Sequence, residues 1–118
     1  NGFAIRNNAS AQRLTISKYI SNARSDLYLT TTNTCKIAIK WNGTTADIFE
    51  NGTKVVSATP FTPTAMQVIN GISTDVSKNI NQMSLWKTPL TDDQCILLTG
   101  SSFSSYPEMA SALIYTLQ

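Results

Sequence analysis

The sequence INQMSLWKTPLTDDQCILLT, residues 80–99, joins the end of a strand to the start of a helix. Its alternating apolar residues, which end at Trp86, predict a strand, and the Lys-Thr-Pro sequence that follows predicts a turn. Thr91 and Gln94 have the spacing of a capping box, in which each side chain accepts a hydrogen bond from the backbone of the other residue. The stretch therefore predicts a closing strand followed by a short helix over about residues 91–99.

Two further features agree with this helix start. Leu90 and Cys95 flank the capping box at the two positions of a hydrophobic staple. Asp92 and Asp93 fall in the predicted first turn, where the positive end of the helix dipole favours carboxylates. Ser105 and Glu108 repeat the capping pattern further along the chain, with Pro107 in the first turn. We therefore expect a second short helix over about residues 106–114.

Upstream, residues 35–56 (CKIAIKWNGTTADIFENGTKVV) predict β-hairpins. The odd positions 37–41 are Ile, Ile and Trp, whereas the even positions 36–40 are Lys, Ala and Lys, which is the pattern of a half-buried strand. The Asn-Gly pairs at 42–43 and 51–52 are turn sequences that accept positive φ. Earlier strands are predicted at Phe3–Arg6, Arg13–Ile16 and Asp26–Leu29, separated by turns at Asn7-Asn8 and Ser21-Asn22.

These segments together resemble the C-terminal domains of phage tail fibres and tailspikes, which are laminin-G-like or concanavalin-like jelly rolls. The resemblance covers about residues 33–118 and rests on the "LT-D-x-x" helix start at Leu90, the "K-I-A-I … N-G-x-x-V" hairpin, and the ending "SY-x-x-MA-x-AL-x-Y-x-x-Q" at 105–118. Glu50 departs from the pattern, because the family more often has a β-branched residue before the second Asn-Gly. The departure predicts an exposed edge at Glu50.

The resemblance implies an all-β fold: a single antiparallel β-sandwich of the jelly-roll type over residues 1–118, with two short C-terminal helices. It further implies the C-terminal fragment of a longer fibre protein, a homotrimer, and a virion protein of the phage tail made in the cytoplasm of the bacterial host. Proteins made there keep their thiols reduced, so we expect Cys35 and Cys95 to be free, with a disulfide as the alternative.

Composition limits the possible functions. The 118 residues suffice for one domain with a core, and about a third of them are Ser, Thr or Asn, whereas 14% are charged. Such a chain suits β structure with a neutral, hydrogen-bonding surface. The net charge of +2 and the scattered basic residues argue against nucleic-acid binding, and no apolar run is long enough to span a membrane. We therefore predict no nucleic-acid partner and no membrane insertion.

The sequence offers no set of residues that would make up a catalytic site. The chain has no His, so the usual general base and any Cys/His metal site are missing. Three of the seven carboxylates belong to the predicted helix starts; alternation places Asp47 and Glu50 largely on the solvent side of a strand, and Asp26 and Asp75 stand alone. We predict no catalytic residue, no metal and no cofactor, after weighing a loop calcium site at Asp75 and Asn79.

A ligand site is predicted at the end of the hairpin strand. An aromatic ring stacks on the C–H face of a sugar, and small polar side chains bind its hydroxyl groups. The predicted site comprises Trp41, Asn42, Thr44 and Thr45, with Lys36 and Lys40 facing outward toward acidic sugars. The alternative is that Trp41 continues the inward face of the strand and belongs to the core.

Three functions remain open at this point. The first is recognition of a bacterial surface polysaccharide or lipopolysaccharide by the distal end of the fibre. The second is a structural role, in which the domain caps the trimer or aids its assembly and has no ligand of its own. The third is an accessory domain of a polysaccharide depolymerase whose catalytic residues lie upstream.

Overall fold

The computed structural model describes residues 1–62, 84–86 and 88–113, and it is mostly β. Two antiparallel three-stranded sheets are followed by two short helices, and in each sheet the strands lie side by side in chain order. The first sheet contains β1 (Gly2–Asn8), β2 (Arg13–Ile20) and β3 (Ala23–Leu29); the second contains β4 (Ile37–Trp41), β5 (Thr45–Glu50) and β6 (Thr53–Pro60). The helices are α1 (Asp92–Gly100) and α2 (Tyr106–Ala112). The predicted antiparallel β fold with two C-terminal helices is thus confirmed, and the jelly-roll connection stays a prediction.

Local turn chemistry explains most of the strand boundaries. Ser21 and Asn22 have φ values of 49° and 66°, and Asn51 and Gly52 have 47° and 86°, so both predicted two-residue turns are confirmed. The predicted turn at residues 7–8 is wrong, because both residues continue β1 to its pairing with Arg13. The chain instead reverses over residues 9–12, where Asn8 Oδ1 accepts a hydrogen bond of 3.1 Å from the Ala11 N–H.

The first sheet packs on one face of the second. The ring of Phe3 lies 6.2 Å from the ring of Trp41 and 4.3 Å from that of Phe61, measured between centroids. Lys18, which pairs with Phe3 across the first sheet, donates a 2.6 Å hydrogen bond from Nζ to the carbonyl of Pro60. Because side chains alternate between faces along a strand, these contacts leave the opposite face of the second sheet to the helices.

That opposite face carries the core beneath the helices. Phe49 is fully buried and pairs with Ala38, which packs against the same cluster. The cluster joins one strand residue to residues from the start of α1 and from α2: Phe49, Leu90, Cys95, Met109 and Leu113. The predicted staple residues Leu90 and Cys95 are therefore both in the core. Aromatic and aliphatic side chains of this size each contribute about 1.5–3 kcal/mol when fully buried.

The start of α1 confirms the sequence prediction. Thr91 caps the helix, its hydroxyl accepts from the Gln94 N–H at 3.2 Å, and Gln94 Oε1 accepts from the Thr91 N–H at 2.8 Å. At α2 the Ser105 hydroxyl accepts from the Glu108 N–H at 3.3 Å. The Glu108 carboxylate accepts from the N–H of Ser104, one residue before the cap, at 2.9 Å. At α2, therefore, the Ser105 side chain makes its half of the capping box, whereas the Glu108 side chain binds Ser104 and not the backbone of Ser105.

The strand predicted to close the fold is not found where the structure can test it. Residues 84–86 belong to no strand, and Trp86 is half-buried against the core cluster. The rest of that prediction, together with Asp75, Asn79 and the end of the second helix at Ile114, lies outside the described residues. Neither described helix has the length and the apolar character needed to cross a membrane.

Two predictions about polar groups fail because tertiary contacts decide them. Glu50 was expected at an exposed edge, but it is only 3% exposed, and its carboxylate accepts hydrogen bonds from Tyr28 Oη at 2.6 Å and from the Thr31 N–H at 2.9 Å. Asp26 was expected to stand alone, but it accepts a hydrogen bond from Ser17 Oγ at 2.7 Å. Both carboxylates therefore hold separate parts of the fold together.

Both cysteines are unpaired thiols, as predicted. Burial in the core raises the pKa of Cys95 to about 11, and burial is also the main cause that raises the pKa of Cys35. Both groups are therefore mainly uncharged thiols at neutral pH.

Candidate functional site

The candidate site is the β4–β5 turn, called here the turn edge and defined by Trp41, Asn42, Thr44 and Thr45. Asn42 Oδ1 accepts hydrogen bonds from the Thr44 N–H at 2.8 Å and the Thr45 N–H at 2.9 Å. The backbone closes the turn with a 3.0 Å bond from the Asn42 N–H to the Thr45 carbonyl. The turn is held by the Asn side chain, and neither Asn42 nor Gly43 has positive φ, in contrast to the Asn51-Gly52 turn.

Trp41 belongs partly to the layer between the sheets and partly to the surface. Its ring is tilted by 46° against that of Phe3, and the residue as a whole is half-buried. Asn42 and Thr44, by contrast, are exposed. The turn edge thus presents an aromatic side chain beside exposed amide and hydroxyl groups, which is the chemistry that a sugar ring requires.

A surface pocket of about 230 Å³ adjoins the turn edge. It lies between the end of the first sheet and the end of β6, and the residues that line it are Asn1, Lys18, Ile20, Thr44, Pro60, Phe61 and Thr62. At its rim the Phe61 N–H donates a 2.9 Å hydrogen bond to the Thr44 carbonyl, which joins the end of β6 to the turn edge. Lys18 brings its ammonium group to the pocket, where it donates to Thr59 Oγ1 at 3.1 Å and to the Pro60 carbonyl. Both acceptors are neutral, so they orient the ammonium group without cancelling its charge.

The two lysines of the predicted site do not join the turn edge. Lys40 lies on the β4 face opposite Trp41, as alternation requires, and Lys36 directly precedes β4, but α1 and the residues that follow it cover both lysines. Lys40 Nζ lies 2.8 Å from Asp92 Oδ1, and Lys36 Nζ donates to Ser102 Oγ at 3.0 Å and to the Ser101 carbonyl. The structure therefore brings together Trp41, Asn42, Thr44 and Thr45, and it separates Lys36 and Lys40 from them.

The charges around Lys40 stabilise the docking of α1. Asp92 contacts Lys40 through one carboxylate oxygen and Lys54, at 3.0 Å, through the other. Hydrogen bonds from Lys40 and Lys54 lower the pKa of Asp92 below its ordinary value. Lys54 also lies 5.9 Å above the centroid of the Phe49 ring. A role of these lysines in ligand binding would compete with these ion pairs.

Sequence reasoning missed two polar groups that the fold positions, the buried Glu50 and the cluster around Asp26. No local pattern indicated the burial of Glu50, because Tyr28 and Thr31, which donate to its carboxylate, come from the other sheet and the loop after it. No sequence signal pairs Asp26 with Arg6, since the strand register sets their proximity. Within residues 1–62, 84–86 and 88–113, no group of three or more Cys, Asp or Glu could hold a metal ion.

Comparison of the chain with family models, with curated proteins and with solved structures gave no match.

Proposed function

We propose that this chain is a glycan-binding domain at the distal end of a phage tail fibre or tailspike, where it recognises a polysaccharide or lipopolysaccharide of the bacterial surface. The observation that carries the proposal is the turn edge, in which half-buried Trp41 adjoins the exposed groups of Asn42 and Thr44 beside an open pocket. The proposal includes assembly in the host cytoplasm, followed by residence in the virion. Two unpaired thiols suit that origin.

The proposal includes a finer view of the fold. Two antiparallel sheets that pack through Phe3 and Trp41 suit a β-sandwich, and the helices on the outer face of the second sheet suit the end of a laminin-G-like or concanavalin-like jelly roll. In such domains ligands are bound at loop edges, where side chains vary without disturbing the sheets. The turn edge is such a place.

Trp41→Ala should reduce affinity for purified bacterial surface polysaccharide roughly tenfold, because the loss of a stacking ring removes about 1–2 kcal/mol. Trp41→Phe keeps an aromatic face and should stay within roughly threefold of the parent chain. Binding is measured by isothermal titration, and a thermal melt of each variant is recorded beside it. A melting temperature that falls steeply for Trp41→Ala, with binding per folded molecule unchanged, assigns Trp41 to the core alone.

Thr44→Val separates binding from stability at the same edge. Thr44 is exposed, and among the described residues its hydroxyl bonds within its own turn, to Asn42 Oδ1 at 3.2 Å, so its removal should leave the melt unchanged. If a sugar hydroxyl binds the Thr44 hydroxyl, the loss of that hydrogen bond should lower the affinity for the polysaccharide several-fold. Unchanged binding in both Thr44→Val and Trp41→Ala would place any glycan site away from the turn edge.

A second candidate function, capping of the fibre trimer, is favoured by apolar side chains at the surface. Ile96 and Leu97, adjacent on α1, are 38% and 39% exposed. We expect light scattering of the chain to give the mass of a trimer, and Ile96→Lys with Leu97→Lys to shift it toward the monomer, because burial of such side chains drives association. A parent chain that stays monomeric at every concentration excludes this candidate.

A further inference from the structure

All three arginines of the chain lie in the first sheet, on the face that points away from the second sheet. The contacts of Phe3 and Lys18 identify the inner face, and alternation then places Arg6 and Ser17 on the outer one. A register shift between β2 and β3 places Asp26 opposite Ser17, so Asp26 shares this outer face although Tyr28, two residues further along β3, lies on the inner one. Strand pairing adds Arg13, opposite Asn8, and Arg24, opposite Tyr19. This outer surface is called here the arginine face and is defined by Arg6, Arg13, Ser17, Arg24 and Asp26.

The arrangement is compact. Asp26 Oδ1 lies 3.5 Å from Arg6 Nη2 and 3.3 Å from Arg24 Nε, and it also accepts the hydrogen bond from Ser17. One carboxylate oxygen therefore draws two guanidinium groups together. Each of these three charged side chains remains exposed, by 37% for Arg6, 48% for Arg24 and 50% for Asp26. Because Asp26 is the one acid on this face among the described strands, the face keeps a net positive charge.

Two details distinguish the face from a scattered set of surface ion pairs. Within the part of the chain that the structure describes, Arg6 Nε is buried and has no hydrogen-bond partner, although buried donors are normally paired. The hydrogen bond from Ser17, more than the two arginines, lowers the pKa of Asp26, so this carboxylate is charged and keeps the guanidinium groups in place at neutral pH. The guanidinium groups are thus held together with donor capacity unused.

We infer that the arginine face binds the anionic groups of an acidic polysaccharide, either the carboxylates of uronic acids or the phosphates of a lipopolysaccharide. Two adjacent guanidinium groups match the paired oxygens of such groups, and Arg forms these two-bond contacts better than Lys does. The inference rests on the proposed function and names its ligand class. The arginine face also supplies the positive charge that the sequence pattern assigns to Lys36 and Lys40.

A carbohydrate polyanion suits this face better than a nucleic acid. Three arginines spread over three strands give a short row of charge, and the neighbouring half-buried Asn8 has an amide side chain of the kind that binds sugar hydroxyls. Nucleic-acid surfaces usually combine a larger basic area with aromatic rings for base stacking. The net charge of +2 for the whole chain is small for that purpose.

The test uses the whole 118-residue chain with immobilised alginate, a linear polyuronate, and with dextran as the neutral reference. The parent chain should bind alginate in a salt-dependent manner and bind dextran at least tenfold more weakly. Arg24→Gln should lower alginate affinity roughly tenfold, and Arg24→Lys should recover part of it, because Lys keeps the charge but not the paired donors. Lys36→Gln, directly before β4, is the control of equal charge change away from the arginine face and should leave alginate binding within twofold of the parent chain.

Alginate binding that falls equally in Arg24→Gln and Lys36→Gln, or single-stranded DNA that binds as well as alginate, would show a general response to charge and overturn the inference. The absence of alginate binding by the parent chain would also overturn it. The source of the anion is resolved by competition, with inorganic phosphate for a phosphate group and with glucuronate for a carboxylate. If Arg24→Gln has no effect while Trp41→Ala still weakens binding to bacterial polysaccharide, the arginine face is excluded and the proposed function stands.

Discussion

Phe49→Ala should lower the free energy of unfolding by about 3–5 kcal/mol, which is the usual effect of truncating a buried aromatic residue. Phe49 is fully buried, and its cluster contains the staple residues of α1 and, from the end of the chain, Met109 and Leu113. The truncation opens a cavity where the helices dock on the sheet. Because domains of this size unfold with about 5–15 kcal/mol, the variant should lose much of its stability.

Urea unfolding followed by circular dichroism measures this effect, with comparison of the midpoint and the slope between variants. Phe49→Leu is the matched control, since it keeps most of the apolar volume and should cost about 1–2 kcal/mol. Lys54→Met separates the effect of the cavity from that of the charges near Phe49. It removes the charge above the Phe49 ring and the ion pair with Asp92, but it opens no cavity. A loss below 1 kcal/mol for Phe49→Ala would show that the helices do not depend on this contact.

Glu50→Ala should lower the free energy of unfolding by about 3 kcal/mol, because it leaves the hydroxyl of Tyr28 and the N–H of Thr31 without their acceptor. For a domain of this size the melting temperature should fall by roughly 10–15 °C. Glu50→Gln keeps the shape and one oxygen acceptor and should cost less than half as much. A thermal melt of the three proteins measures the difference.

The same network should make stability depend on pH at both ends of the range. The hydrogen bond to the Glu50 carboxylate raises the pKa of Tyr28 from 10.0 to about 12. This contribution to stability is complete below pH 10 and is lost as the pH rises from 10 to 12. Burial acts to raise the pKa of Glu50, but the hydrogen bonds from Tyr28 and Thr31 outweigh it and lower the pKa below 4.5. Its contribution is therefore present above pH 4.5 and is lost as the pH falls below that value.

A double-mutant cycle of Glu50→Gln with Tyr28→Phe isolates their interaction. Tyr28→Phe should abolish the loss of stability between pH 10 and 12, and Glu50→Gln should weaken the loss on the acid side as well. Arg13 and Cys35 also influence Tyr28 and stay unchanged in all four proteins. Additive effects of the two substitutions, within about 0.3 kcal/mol, would mean that the hydroxyl and the carboxylate are not coupled in solution.

Local sequence patterns determined the parts of the fold whose causes are local. The capping box of α1, the staple residues and the turn at Asn51-Gly52 follow from interactions among residues a few positions apart. The same is true of the strand that the alternation of apolar and polar residues predicted from about residue 36 to Trp41, and that the structure has as Ile37–Trp41. Such interactions exist before the chain is compact, so the sequence alone was sufficient to predict them.

The candidate site was predictable only in part. Trp41, Asn42, Thr44 and Thr45 are neighbours in the chain, so they meet at the turn edge whatever the tertiary structure is. The role of Lys40 depended on α1, more than fifty residues further along the chain, whose Asp92 binds its ammonium group. Alternation indicates the face on which a side chain lies, and it says nothing of what covers that face.

Only the tertiary structure decided the environment of the charged groups. The sequence placed Glu50 on a strand, but its burial results from the packing of β3 and the loop after it against the second sheet. In the same way Arg6 and Arg24 meet at Asp26 because the register of β1, β2 and β3 brings three separate segments together. The sequence gives the position of a carboxylate along the chain, but it does not show whether water or protein surrounds that carboxylate in the folded state. The physical reason for the division is therefore range: capping and turns act within a few residues, whereas burial and ion pairing depend on the packing of segments that are distant in the chain.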